Sequence, residues 1–133
     1  MLLIDRVLEL GDQSATCEID IRADSSFFLS GRGVPAWVGI EYLGQTAACI
    51  AGHQLELGRV QAHLGLLLGT RRFDAHRAFF FEGQVLRAHC SEIAVVGEEL
   101  ATFLGELYDR DSGVLCASAK LSVFRKPLQE ANA

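Results

Sequence analysis

One carboxylate in the middle of a long apolar stretch is the feature of this sequence that most suggests chemistry. The stretch runs from Val34 to Gly52, VPAWVGIEYLGQTAACIAG, and within it Glu41 is followed four residues later by Gln45. In a helix these two side chains share a face, one turn apart. Burying an unpaired carboxylate costs free energy and favours its protonated form, which suits proton transfer. The pattern indicates an acid and an amide aimed at one place.

Each of these two residues has an ordinary structural alternative. Glu41 could be a core acid that pairs with an arginine instead of a catalytic group. Gln45 is expected to orient the Glu41 carboxylate through a hydrogen bond, or to serve only the packing of the helix. Among the histidines, His63 could approach a site related by dimer symmetry. The others are expected to be solvated and lack metal-ligand spacing, so we expect no metal: His53, His76 and His89.

The helix that carries these residues is predicted from its boundary signals. Pro35 suits the first turn of a helix, and Gly52 or Gly58 could end it. The segment is hydrophobic nearly all round, which is typical of a core helix. The residues on the Glu41 side are small enough to admit another backbone or a ligand: Gly44, Ala48 and Gly52.

Most of the remaining chain has the pattern of strands. Residues 14–22 alternate between apolar and polar side chains, and Met1–Leu10 is predicted to pair with them through a turn at Gly11-Asp12. Further strands joined mostly by hairpin signals are predicted at four places: Leu64–Phe73, Gly83–Ile93, Glu98–Tyr108 and Val114–Phe124.

The order of two strands, one helix and four strands predicts a particular architecture. A single apolar helix beside a sheet of about six strands must be wrapped by that sheet. This is the layout of the hotdog fold, an α+β fold in which a curled antiparallel sheet surrounds one long central helix. We expect one domain over residues 1–126, with 127–133 as a tail. Exposed sheet edges favour a homodimer.

Composition excludes several classes of protein. The chain has 133 residues, 50% of them hydrophobic, which suffices for one domain with a core. A net charge of -5 with 12 scattered Lys and Arg argues against nucleic-acid binding. Pro35, Glu41 and Gln45 argue against a membrane span, and the charges at Asp5-Arg6 argue against a signal peptide. We expect a soluble cytoplasmic protein whose four separated cysteines are reduced core thiols.

The helix start resembles that of a known enzyme family. The spacing Pro35-x5-Glu41-x3-Gln45 in VPAWVGIEYLGQ resembles the PGVxxxExxAQ segment of 3-hydroxyacyl-ACP dehydratases of type II fatty-acid synthesis. The resemblance is closer to the dehydratase-like proteins of aryl-polyene gene clusters. Those have a PAW or PGW helix start, an opening strand like MLLIDRVLEL and a later strand like residues 66–72, LLLGTRR. It extends from Met1 to about Phe124.

The resemblance implies both an activity and roles for particular residues. Such dehydratases remove the proton beside a thioester carbonyl and expel the 3-hydroxyl as water, with a His base and a Glu or Asp acid. Glu41 stands at the position of the acid. By position, the backbone N–H of Ala36 or Trp37 would polarise the thioester oxygen, assisted by the helix dipole.

The resemblance also implies partners and binding residues. The substrate would be an acyl carrier protein or acyl-CoA thioester, whose phosphopantetheine arm arrives with the substrate, so no separate cofactor is expected. Arg71 and Arg72, with Arg77, could bind the arm's phosphate or an acidic carrier surface, or could be solvent-facing charges. Phe27 and Trp37 could line an acyl tunnel or belong to the core. The partner subunit would be a second copy or a related hotdog subunit.

The sequence departs from the family at the catalytic base. Fatty-acid dehydratases place that histidine in an HFPGxP loop, whereas residues 27–34 here are FFLSGRGV. The aryl-polyene relatives often carry a Pro-His pair just upstream of the first strand, and this sequence begins just after that position. We expect either a start site assigned too late or a protein without the base. Two alternatives therefore stay open: a hotdog thioesterase in which Glu41 activates water, and a non-catalytic partner subunit of a dehydratase.

Overall fold

A computed structural model of the chain describes residues 2–56, 63–97 and 100–127. Within these ranges the chain forms one α-helix, one short 3-10 turn and eight strands. The strands are β1 (Arg6–Leu10), β2 (Ser14–Asp20), β3 (Val34–Pro35), β4 (His63–Ala75), β5 (Phe79–Phe80), β6 (Val85–Val96), β7 (Leu100–Asp109) and β8 (Leu115–Pro127). The 3-10 turn covers Ala36–Val38 and leads directly into α1 (Gly39–Glu56).

Six of the strands form one antiparallel sheet in the order β1-β2-β6-β7-β8-β4. Helix α1 packs against this sheet, with side chains of the helix and of β2, β6, β7 and β8 in the same core. The predicted hotdog fold is confirmed by this arrangement of one helix and a large antiparallel sheet. The remaining strands, β3 and β5, pair with each other through Val34–Phe80 and Pro35–Phe79.

The boundaries of the predicted elements differ from the observed ones at several points. Regular pairing in the first strand begins only at Arg6, although the prediction started at Met1. The helix continues through Gly52 to Glu56, the last described residue before the gap. Strand β8 extends to Pro127, the first residue of the predicted tail, and residues 128–133 lie outside the described residues.

The alternation predicted for β2 is present, with one exception. Ala15, Cys17 and Ile19 are buried beneath the helix, as their spacing indicates. Glu18 points to the other face of the sheet but is also buried, because arginines on both neighbouring strands cover it. A charge that is paired on two sides can be removed from water at a tolerable cost.

The four cysteines are free thiols, as predicted, and three of them are buried. Burial raises the pKa of Cys90 to about 12 and that of Cys17 to about 11. Thiolates are therefore disfavoured at neutral pH, and these side chains behave as small apolar residues. No helix in the described ranges is both long and apolar enough to cross a membrane.

Candidate functional site

The start of the helix is fixed by close backbone packing. Gly33 precedes β3 with a φ of +112°, and a Cβ at this position would lie 2.2 Å from the carbonyl oxygen of Phe80. Gly39, the first residue of α1, would place a Cβ 2.7 Å from Cδ1 of Leu107. At Gly33 only glycine allows this approach to a backbone atom, whereas at Gly39 a Cβ would require the Leu107 side chain to move. The loop, the β3–β5 pair and the helix start are therefore packed closely together.

Glu41 lies in the first turn of α1, with its side chain exposed. The helix turns one face to the sheet and leaves the other uncovered. On the covered face the side chains are buried: Tyr42, Leu43, Thr46, Ala47 and Ile50. On the open face Trp37, Glu41 and Ala48 are exposed, with Gly44 and Gln45 half-buried. The prediction of a buried acid in an all-round core helix is therefore wrong for the single chain, because its own sheet reaches only one side of the helix.

The two backbone amides predicted to face a thioester differ in their partners. The Ala36 N–H donates to the carbonyl oxygen of Ala78 at 2.9 Å, so this amide is already occupied. Trp37 is the second residue of the 3-10 turn, where a backbone N–H has no acceptor within the helix. The Ala36 amide is therefore not free for the predicted role, and the role of the Trp37 amide stays a prediction.

An aromatic pair lies beside this helix start. The rings of Phe27 and Trp37 meet edge to face, with centroids 5.4 Å apart. Both are large apolar side chains with about half of their surface exposed, 47% for Phe27 and 54% for Trp37. Phe27 also has a φ of 67°, an unfavourable conformation for a residue other than glycine. Neither ring belongs to the core, so of the two alternatives for these residues the plain core role is wrong in the single chain.

Gln45 has a contact that the sequence did not suggest. Its side-chain oxygen Oε1 accepts a hydrogen bond from the Leu3 backbone N–H at 2.8 Å. The predicted orienting bond to Glu41 stays a prediction. The observed bond ties the helix to a segment 42 residues earlier in the chain.

Of Arg71, Arg72 and His63, only Arg72 has a described side chain, and its one described ion pair is not with Glu41. Arg72 is exposed and pairs with Asp74 at 2.6 Å between Nε and Oδ2. The backbone of Arg71 lies in β4, but its side chain is outside the described residues. The same holds for His63, which opens β4 opposite Pro127. Their predicted roles stay predictions.

The other histidines differ from the prediction of simple solvation. Only His76 is exposed. The Nδ1 atom of half-buried His89 lies 2.8 Å from Oγ1 of Thr16, and its Nε2 lies 3.2 Å from Oγ of Ser91. Among the described residues, no group of three or more His, Cys, Asp or Glu side chains is arranged to hold a metal ion.

A polar cavity beside the helix was missed by sequence reasoning. It has a volume of about 120 Å³ and is lined by the N-terminal segment, the end of β2 and the loop after it, with Tyr42 from the helix. Tyr42 is 2% exposed, and burial raises the pKa of its hydroxyl to about 12. Its ring packs against Phe80, 6.2 Å between centroids. No pattern in the sequence marked Tyr42, because its position next to Glu41 does not show what covers it.

Several charged side chains that line this cavity belong to one ion-pair network. Arg22 donates to Asp5 and to Asp24, each at 3.2 Å, and its Nη1 lies 3.7 Å from Asp20. Arg6 donates to Asp20 as well, at 2.9 Å from Nη1. The hydrogen bond from Arg6 is the largest of the effects that lower the pKa of Asp20. The arginines neutralise these carboxylates, and the ion pairs hold the N-terminal segment, residues 2–5, against β2.

Comparisons with known structures show the fold. The structure of the dehydratase heterocomplex ApeI:P from Xenorhabdus doucetiae is 24% identical, with a TM-score of 0.79 over 96% of this chain and 84% of that chain. A hypothetical thioesterase protein with coenzyme A from Streptococcus pneumoniae TIGR4 is 11% identical, with a TM-score of 0.72 over 94% and 88%. The PaaI protein of E. coli is 15% identical, with a TM-score of 0.71 over 92% and 78%. No curated protein matches the chain.

The family is shown by sequence. The sequence model of the ApeP-like family, described as ApeP dehydratase, matches residues 1–133. This match confirms the resemblance predicted from the helix start and the later LLLGTRR strand. The chain therefore belongs to the ApeP-like dehydratase family.

Proposed function

We propose that this chain takes part in the dehydration of 3-hydroxyacyl thioesters carried on an acyl carrier protein, with Glu41 as the general acid. The observation that carries the proposal is the position of Glu41. It is exposed in the first turn of α1, on the same open face as Trp37. A substrate that lies across this face can reach a carboxyl group, a helix-start amide and an aromatic surface together.

The proposed reaction assigns one task to each group. A base removes the proton on the carbon beside the thioester carbonyl, and the electron pair forms the new carbon–carbon double bond. The protonated Glu41 carboxyl gives its proton to the 3-hydroxyl, which leaves as water. Negative charge that develops on the thioester oxygen is stabilised by the Trp37 N–H and by the positive end of the helix.

The residues around the helix start supply binding surface. Phe27 and Trp37 present apolar rings to the acyl group, since neither ring is covered in the single chain. Arg71 and Arg72 are assigned to the phosphate of the phosphopantetheine arm or to the acidic carrier. Arg72 would exchange its exposed partner Asp74 for that anion, a cheap exchange because an exposed ion pair is weak. The arm comes with the substrate, so the protein needs no cofactor of its own.

A second subunit completes the site in this proposal. The open face of α1 leaves Trp37 and Glu41 in water, although water must be kept from a dehydration site for electrostatic stabilisation to be strong. A second copy of the chain or a related hotdog subunit would cover the face, and a relative of the same fold was solved as a dehydratase heterocomplex. The base would come from that subunit, from His63 across the interface, or from residues upstream of Met1. We assign this protein to the cytoplasm, where acyl carrier proteins supply such thioesters.

The proposal is tested by incubating the chain with a 3-hydroxyacyl carrier protein and following the enoyl product by its ultraviolet absorption. Three preparations are compared: the chain alone, the chain with a related hotdog subunit, and a chain extended upstream to the next in-frame start. We expect Glu41→Gln to lower the rate by about 10²- to 10⁴-fold in whichever preparation is active. Glu82→Gln, which removes an exposed carboxylate from a turn, is the matched control and should leave the rate unchanged.

Three outcomes would overturn the proposal. If no preparation forms the enoyl product, the chain is not a component of a dehydratase. If free thiol is released instead, and Glu41→Gln stops that release, Glu41 activates water and the chain is a thioesterase. If the product forms only with the related subunit and Glu41→Gln has no effect, the chain is a non-catalytic partner.

A further inference from the structure

The N-terminal segment, residues 2–5, lies along helix α1 without joining the regular ladder of the sheet. Pairing between β1 and β2 starts at Arg6. The Ile4 side chain enters the core, and the Asp5 N–H donates to the Glu18 carbonyl at 2.9 Å. Leu2 is exposed. The position of this segment is therefore fixed by a few separate contacts. Loss of one of them should displace the segment more than loss of one hydrogen bond displaces a strand inside a sheet.

One side chain of the helix holds the backbone of this segment. The bond from the Leu3 N–H to Oε1 of Gln45 is 2.8 Å long and half-buried. A glutamine amide can present either its oxygen or its NH₂ group to a neighbour, but only the oxygen can accept from a backbone N–H. The Leu3 backbone thus determines which way the Gln45 amide faces.

This contact lies beside the proposed acid. Gln45 follows Glu41 by one helical turn, so their Cβ atoms are about 5–6 Å apart on the same face. Leu3 also lines the polar cavity, together with Tyr42, the residue after Glu41. The segment therefore contacts both the polar cavity and the open face of α1.

We propose that Gln45 is a positioning residue that holds residues 2–5 against the Glu41 face of α1 and so makes this segment one wall of the substrate site. The inference rests on the proposed function of Glu41. Gln45 then acts through the backbone of Leu3, whereas the sequence suggested an action on the Glu41 carboxylate. Loss of the Gln45 amide would release residues 2–5 from the helix and leave Glu41 in place.

Four substitutions separate the contact from its surroundings. Gln45→Met removes the acceptor but keeps an unbranched side chain of similar length, and Gln45→Glu keeps an acceptor oxygen. Leu3→Pro removes the donor, because proline has no backbone N–H. Leu3→Ala is its matched control, since it loses the same side chain but keeps the N–H. If both substitutions act only through this hydrogen bond, the double variant Gln45→Met/Leu3→Pro should weaken binding no more than either single variant does.

Two measurements on the whole chain test the proposal. Amide hydrogen exchange over residues 2–5 reports the contact itself, and the Kd of a non-hydrolysable 3-hydroxyacyl pantetheine amide reports the site without requiring turnover. We expect Gln45→Met to speed the exchange about two- to tenfold, the range for loss of one hydrogen bond, and Gln45→Glu to leave it slow. Gln45→Met and Leu3→Pro should raise the Kd by a similar factor, and Leu3→Ala should raise it less.

The proposal is overturned if Gln45→Met speeds exchange but leaves both the Kd and the enoyl-forming rate unchanged. It is also overturned if Leu3→Pro and Leu3→Ala raise the Kd equally, because then the N–H has no part in the effect. A chain that forms no enoyl product but binds the amide, with a Kd that depends on Gln45 as expected, supports the positioning role and refutes only the dehydratase function. If the chain does not bind the amide at all, the proposal that residues 2–5 form one wall of a substrate site is refuted as well.

Discussion

Substitution of Gly33 by alanine is expected to disrupt the start of the helix far more than the same change two residues earlier. Gly33 and Gly31 both have a positive φ, +112° and +77°. For any residue with a Cβ, such a conformation costs about 1–2 kcal/mol. The two positions differ in their surroundings. A Cβ on Gly31 has no atom within 4 Å, whereas a Cβ on Gly33 would lie 2.2 Å from the Phe80 carbonyl oxygen.

The difference between the two variants reports the close approach at Gly33 together with the extra backbone cost of its larger φ. An ordinary contact for a Cβ begins near 3.4 Å, so the Gly33 backbone or Phe80 would have to move by about an ångström. Such a shift breaks the pairing of Val34 with Phe80, two side chains that are completely buried. Lost hydrogen bonds of about 1 kcal/mol each and overpacking of about 1–3 kcal/mol then add to the cost of φ. We expect Gly31→Ala to lower the free energy of unfolding by about 1–2 kcal/mol and Gly33→Ala by about 3–5 kcal/mol.

Urea unfolding followed by far-ultraviolet circular dichroism measures both values. The lone tryptophan, Trp37, follows the same loop and provides a local fluorescence probe. Gly33→Ala should change its emission in the folded state, because the Phe27–Trp37 contact depends on the position of the loop. Equal destabilisation by the two variants, within about 0.5 kcal/mol, would refute the reasoning, since the cost would then come from φ alone.

Three further predictions concern the sheet and the helix start. Hydrogen bonds from Arg87 and Arg6 lower the pKa of Glu18 in the folded protein. The stability that this carboxylate contributes is therefore present above its unfolded pKa of about 4.3 and is lost as the pH falls through its lower pKa in the folded state. Glu18→Gln should flatten the acid side of a plot of unfolding free energy against pH. Ser122→Ala should raise the unfolding free energy by up to about 1 kcal/mol, because no described residue bonds its buried hydroxyl; a lower thermal midpoint would contradict this. Gly39→Ala should cost about 1–3 kcal/mol in urea unfolding by pressing on Leu107, and an unchanged midpoint would show that this side chain can move aside.

The fold could be predicted largely because its signals are local. The alternation in β2 and the hairpin-linked strands follow from the side-chain period of two, which a sequence shows directly. The β3–β5 pair was missed, because two residues on each side are too few to show any period. Its first strand, Val34–Pro35, lies where the sequence indicated the beginning of the helix. Pro35 suits either position, since its fixed φ fits a helix start and a short strand alike.

The candidate site was harder to predict because its contacts join distant parts of the chain. The spacing of Glu41 and Gln45 placed them correctly on one face of a helix. The bond between Gln45 and Leu3, and the use of the Ala36 amide by Ala78, each depend on a segment brought close only by the tertiary fold. Hydrophobic periodicity shows which residues avoid water but not which other residues cover them.

The open face of α1 connects the composition of the helix with the incomplete site. A helix that is apolar all round is expected to be covered all round. The sheet of this chain covers one face, and on the other Trp37 is more than half exposed beside Glu41. Large apolar surfaces left in water beside a polar group are typical of an interface. We therefore infer that the sequence of α1 was shaped by two neighbours, its own sheet and a second subunit. In the proposed function, that second subunit covers Glu41 and can supply the base that the loop at 27–34 lacks.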